Sequence, residues 1–156
     1  DMGMTEVGEL TELDADGVTA AVYPVSVGNP HCVLFPEAPD GMDLKKIGPL
    51  FEYAKEFPER INTEFVQIID EKTLKMRVWE RGSGETFACG TGIVASCVAA
   101  YAKGIEPSSK AGDRVRYDVR AKRDALAVDF MPGVDGLLAE DVWLTGPATY
   151  VADVLI

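Results

Sequence analysis

The stretch from Ile93 to Ala102 constrains the fold of this chain more than any other. Ile93, Val94, Ala95, Cys97, Val98, Ala99, Ala100 and Ala102 predict a helix over Gly90–Lys103 with no polar stripe, so it has to be buried on every side. Most of these side chains are small, which lets backbone approach from all directions. Gly104 follows as a helix-closing glycine. A buried central helix needs a sheet that curves around it, and the rest of the chain is mainly strand-like. The expected class is α+β: a curved, mostly antiparallel or mixed β-sheet wrapped around a central apolar helix. With 156 residues, 47% of them hydrophobic, the chain suffices for one domain with a sizeable core. No linker-like tract divides residues 1–156.

Val18–Val27 is β-branched and apolar, and reads as one strand or as two short ones broken at Pro24. The turn Gly28-Asn29-Pro30-His31 leads into a strand over Cys32–Phe35. Leu44, Ile47, Phe51 and Ala54 share one face of a helix predicted over Asp43–Phe57, which Gly48-Pro49 is expected to break or restart. Strands over Glu64–Ile69 and Leu74–Glu80 follow, joined by a turn at Asp70–Thr73. Beyond the helix, strands are expected near Val115–Arg120, Leu126–Phe130, Val142–Leu144 and Thr149–Leu155.

The chemistry concentrates where the apolar helix begins. In Glu80-Arg-Gly-Ser-Gly-Glu-Thr-Phe-Ala-Cys-Gly-Thr-Gly-Ile93 a glycine-rich loop delivers Cys89 to the helix start. Unpaired backbone N–H groups and the positive end of the helix dipole favour a thiolate there. The N–H groups of Gly90 and Thr91 can hold a carboxylate or phosphate beside the sulfur. In the preceding strand Leu74, Met76, Val78 and Glu80 share one face, and Lys75, Arg77 and Trp79 the other. If the apolar face points inward, Glu80 ends that row as a partly desolvated carboxylate that needs a partner. His31, the sole histidine, is the candidate that composition offers.

Charge and cysteine usage narrow the class further. The formal charge of −11 argues against nucleic acid or an anionic membrane surface as partner. No apolar run reaches the length of a membrane span and no secretion signal opens the sequence. Three cysteines, Cys32, Cys89 and Cys97, cannot pair completely, which fits reduced thiols and a cytoplasmic location. Cys32 and Cys97 read as ordinary buried thiols. A zinc site from His31 and the cysteines lacks any Cys-x-x-Cys pair and is discounted, so no metal is expected. A hydrolase with Cys89 as nucleophile and His31 as base stays open on these residues alone, as does a non-catalytic anion-binding half-domain.

The Glu80–Gly92 run resembles the second catalytic-cysteine motif of the diaminopimelate epimerase family. Gly28-Asn29-Pro30-His31-Cys32 looks like that family's second signature, and Asp1-Met2-Gly3 and Thr145-Gly146-Pro147-Ala148 extend the likeness over essentially the whole chain. The resemblance implies a cofactor-free epimerase that works with two cysteines on opposite faces of one α-carbon and interconverts LL- and meso-diaminopimelate. It makes Cys89 one acid/base thiol and Glu80 and His31 the pair that tunes or orients it. Gly90 and Thr91 then bind the reacting carboxylate, and Asn29, Asn62 and Arg81 grip the distal amino-acid end, Arg81 being suited to a carboxylate. Asn29 and Asn62 otherwise read as turn and linking side chains. The family builds its site between two pseudo-symmetric halves, and this sequence resembles the second half alone. The expected partners are the amino-acid substrate and an N-terminal half carrying the other cysteine, without which the chain is expected to be inactive. A homodimer formed over the uncovered cleft face is compatible with the sequence.

Overall fold

The computed structural model describes residues 1–70 and 72–148. The strand expected at Thr149–Leu155 lies outside the described residues. In chain order the elements are β1 (Thr5–Val7), β2 (Thr11–Ala15), β3 (Val18–Ser26), β4 (Pro30–Leu34), α1 (Leu44–Glu52), β5 (Asn62–Asp70), β6 (Thr73–Glu80), β7 (Gly84–Thr86), α2 (Gly90–Ala102), β8 (Ser109–Ala111), β9 (Arg114–Arg120), β10 (Ala125–Pro132) and β11 (Leu138–Thr145). The α+β expectation holds, and the sheet goes further than curving. Its order is β7-β6-β5-β4-β3-β1-β11-β10-β9-β8, and β6 also pairs with β9. The strands from β6 round to β9 therefore close into a barrel. All pairings in the ring are antiparallel except β4–β5 and β6–β9.

Helix α2 runs inside this barrel and touches every strand of the ring. Gly92 to Ala100 are all buried, as the missing polar stripe requires. An eight-stranded barrel is wide enough for side chains and little else. A helix fits only if its own side chains are small, which explains the alanines, Ser96, Cys97 and the glycines of α2. The helix ends in a Schellman motif: Ile105 N–H donates to the Ala100 carbonyl and Gly104 N–H to Tyr101, each at 2.9 Å. Gly104 takes the left-handed conformation this needs, with φ of 85°.

A second apolar core lies outside the barrel, between α1 and the outer faces of β2 to β5. The chain crosses from β4 to its parallel neighbour β5 through α1, as a parallel pair demands. Helix α1 does not break at Gly48-Pro49. It runs through both residues and stops at Glu52, short of the expected Phe57. Gly48 is there for space: a Cβ on it would sit 2.2 Å from the Trp79 indole. Trp79 is fixed in turn by donating its Nε1–H to the buried Glu52 carboxylate at 2.7 Å. The interior β3 strand is likewise continuous through Pro24, which sits where one edge of β3 passes from β2 to β1. Cys97 belongs to the barrel core and Cys32 to the outer one, both fully buried. Among the described residues no helix is long and apolar enough to cross a membrane.

Candidate active site

The rows of inward-facing side chains on β4, β5 and β6 end in polar groups at one mouth of the barrel. On β4, Val33 points into the barrel core and His31, two residues earlier, shares its face. On β5, Val66 is the inward apolar residue and Glu64 and Asn62 precede it on the same face. On β6 the predicted row of Leu74, Met76 and Val78 is buried and ends at the half-buried Glu80. The hairpin from β6 to β7 then returns the chain to Cys89, the residue immediately before α2.

Cys89 has extended backbone, and the first intrahelical bond runs from Ile93 N–H to its carbonyl at 2.9 Å. The N–H groups of Gly90, Thr91 and Gly92 thus have no carbonyl behind them in the helix. These are the unpaired N–H groups on which the anion site expected from sequence depends. The protonation state differs from expectation. Burial pushes the Cys89 thiol up, the Thr91 hydroxyl and Gly92 N–H pull it down, and Glu64 and Glu80 push it up again. The sum is upward, so Cys89 rests as a thiol: desolvation outweighs the helix start.

His31 is fully buried, and its carboxylate partner is Glu64 rather than the expected Glu80. His31 Nδ1 lies 2.7 Å from Glu64 Oε1, both side chains being inaccessible to solvent. Burial raises the Glu64 carboxyl, His31 opposes that, and Glu80 adds to it. On its other side His31 Nε2 lies 3.0 Å from Thr91 Oγ1 and 3.1 Å from Asn29 Oδ1. Asn29 Nδ2 donates to Thr91 Oγ1 at 3.2 Å, and Thr91 Oγ1 is 3.5 Å from Cys89 Sγ. One continuous chain of polar contacts therefore joins Glu64 to the cysteine. Glycine is required at position 92 for this, since a Cβ there would be 2.5 Å from Glu64 Oε1.

The remaining expected residues are near but engaged differently. Glu80 accepts a hydrogen bond from the Thr86 hydroxyl, and its charge acts on both Glu64 and Cys89. Asn62 ties backbone together: Nδ2 donates to the Pro30 carbonyl at 3.2 Å and Oδ1 accepts from Arg81 N–H at 2.8 Å. The exposed Arg81 side chain donates to the Glu59 carbonyl at 3.1 Å. A cleft of about 470 Å³ opens beside the network, with Asn29, His31, Phe57 and Glu59 in its wall. A second cleft of about 370 Å³, walled by Leu10, Phe35 and Met42, lies elsewhere and includes none of the expected site residues.

Among solved structures, the fold matches a hydroxyproline epimerase from Agrobacterium vitis with a TM-score of 0.65, at 17% identity over 94% of this chain and 48% of that one. A probable proline racemase from Agrobacterium radiobacter matches with a TM-score of 0.62, at 15% identity over 96% and 52%. The chain therefore has the fold found in about half of each of these proteins.

Sequence likeness is narrower. The family model described as diaminopimelate epimerase matches residues 23–124, and the chain belongs to the diaminopimelate epimerase family. The diaminopimelate epimerase of Synechocystis is 44% identical over 137 residues, 86% of this chain and 44% of the relative. That of Trichodesmium erythraeum is 58% identical over 87 residues, 56% and 31% respectively. Diaminopimelate epimerase 1 of a Nostoc species is 41% identical over 144 residues, 89% and 46%. The chain spans less than half the length of each of these relatives.

Proposed function

We propose that this chain supplies one of two acid/base thiols in a cofactor-free epimerase that interconverts LL- and meso-diaminopimelate, and that it does so only together with a second half. The observation that carries the reading is the single accessible thiol. Cys89 stands half-buried at the mouth of the barrel beside the free N–H groups of α2, whereas Cys32 and Cys97 are 0% exposed in separate cores. A two-thiol inversion needs sulfurs on opposite faces of one carbon, so the other must come from outside these residues.

In this reading the substrate α-carboxylate docks on the N–H groups of Gly90 and Thr91, at the positive end of the α2 dipole. As the α-proton leaves, negative charge spreads into that carboxylate, where these fixed dipoles stabilise it. Cys89, resting as a thiol, returns a proton to its face of the carbanion. In the opposite direction it is the base and the other sulfur is the acid. Arg81, exposed beside Asn62, meets the distal carboxylate, and three free thiols suit a reducing cytoplasm. Diaminopimelate, rather than another amino acid, is favoured by the names of the relatives and by that guanidinium.

The rival reaction for the same groups is hydrolysis with Cys89 as nucleophile. In D₂O, a two-half protein containing this chain should place deuterium on the α-carbon of diaminopimelate, with no mass added to Cys89. An acyl group trapped on Cys89, without deuterium uptake, would replace the epimerase reading with the hydrolase.

A further inference from the structure

We infer that Glu52 is a positioning residue for Arg81: its buried carboxylate braces both the hairpin that carries the guanidinium and the loop whose carbonyl receives it. The inference deepens the assignment of Arg81 to the distal carboxylate of the substrate and rests on that reading.

Glu52 is the last residue of α1 and is 3% exposed. A carboxylate taken so far out of water has to be matched by donors. They converge on it from separate parts of the chain. Its Oε2 accepts from Trp79 Nε1–H on β6 at 2.7 Å. Its Oε1 accepts from Gly82 N–H in the β6–β7 turn at 2.9 Å and from Arg60 Nη1 in the α1–β5 loop at 3.3 Å. No step of the epimerisation involves this carboxylate, yet its contacts with Gly82 and Arg60 both bear on Arg81.

On the hairpin side, Arg81 and Gly82 lie in the turn, outside the β6–β7 ladder. Their N–H groups are held by side chains instead: Asn62 takes that of Arg81 at 2.8 Å and Glu52 takes the next. On the loop side, the Arg81 guanidinium donates to the Glu59 carbonyl at 3.1 Å. That carbonyl shares its peptide unit with Arg60, whose backbone is left-handed with φ of 63°. A residue with a side chain keeps such a conformation only where its surroundings over-determine it. Arg60 is pinned at both ends, its N–H donating to the Phe57 carbonyl at 2.8 Å and its guanidinium to Glu52. One carboxylate therefore fixes both partners of the Arg81–Glu59 contact.

The neighbouring Glu80 is held separately. Its side chain accepts from the Thr86 hydroxyl, and its backbone pairs with Gly84 across the hairpin. Slackening Glu52 thus moves the guanidinium more than the groups around Cys89. The distal carboxylate takes no part in bond changes at the α-carbon, so its grip is the same in the ground and transition states. Losing that grip raises KM and leaves kcat largely in place.

The test is steady-state kinetics of a two-half protein containing this chain, with LL-diaminopimelate as substrate. Glu52→Gln puts an NH₂ group where an acceptor stood, so the donor on that side loses its partner. It should raise KM about fivefold or more, the worth of one hydrogen bond, with kcat within about twofold of the parent. Added to Arg81→Leu, the same change should move KM by less than about twofold, because the group it positions is already gone. If Glu52→Gln does not fold, Arg60→Leu removes only the loop-side donor and should give the same pattern at about threefold. An unchanged KM in these variants, or a rise equally large with and without Arg81, overturns the inference and leaves the distal-carboxylate reading standing. An unchanged KM in Arg81→Leu, or no turnover of diaminopimelate at all, overturns that reading and the inference together.

Discussion

At the residue scale, the two opposed influences on Cys89 make its pH dependence informative. The helix start and Thr91 stabilise a thiolate, but burial and two nearby carboxylates disfavour it more. A raised pKa means that thiolate is scarce at neutral pH and accumulates only above the ordinary thiol range of about 8.5. Alkylation of Cys89 in the chain should therefore still be climbing steeply between pH 8 and pH 9. A rate already level by pH 8 would contradict the dominance of burial. Sequence alone led to Cys89, His31, Gly90 and Thr91 as candidates, because a thiol at a glycine-rich helix start is a local signal. It missed Glu64 and offered Glu80 as the partner of His31. The only trace of Glu64 is a carboxylate between Asn62 and Val66 on one face of a strand-like run. Its partner lies 33 residues away and reaches it through a parallel strand pairing that no local pattern reveals.

At the element scale, Gly48 separates propensity from packing. Alanine is the better helix former by about 1 kcal/mol, so Gly48→Ala would strengthen an isolated α1. In the folded protein the added methyl meets the Trp79 ring at 2.2 Å, and overpacking of this kind costs about 1–3 kcal/mol. The net expectation is destabilisation by up to about 2 kcal/mol, seen as a lower thermal or denaturant midpoint. A raised midpoint would refute the packing role. The same residue explains why the helix boundary was misread: glycine beside proline resembles a breaker, yet here it makes room for an aromatic ring. The long elements were legible because α2 lacks a polar stripe and β6 alternates cleanly. The short β1, β2, β7 and β8 were not, since three to five residues of mixed polarity carry too little periodicity to stand out.

At the scale of the whole molecule, the fold places a half-buried thiol at the barrel mouth without enclosing it. Barrel closure through the β6–β9 pairing leaves the ring without free edges and grips α2 from all sides, so Cys89 is held on a rigid axis. Sequence predicted a sheet wrapped around a helix; closure depends on a pairing between distant strands and was not readable. What the barrel lacks is a second accessible thiol facing the first. The central claim is that this chain contributes one sulfur of two, and the direct measurement is conversion of LL- to meso-diaminopimelate. It would compare the chain alone with the chain fused to the part of the Synechocystis relative outside the matched region. The chain alone should give no turnover, whereas the fusion should convert substrate and lose that activity with Cys89→Ala. Conversion by the chain alone at the rate of the fusion, abolished by Cys89→Ala, would contradict the account.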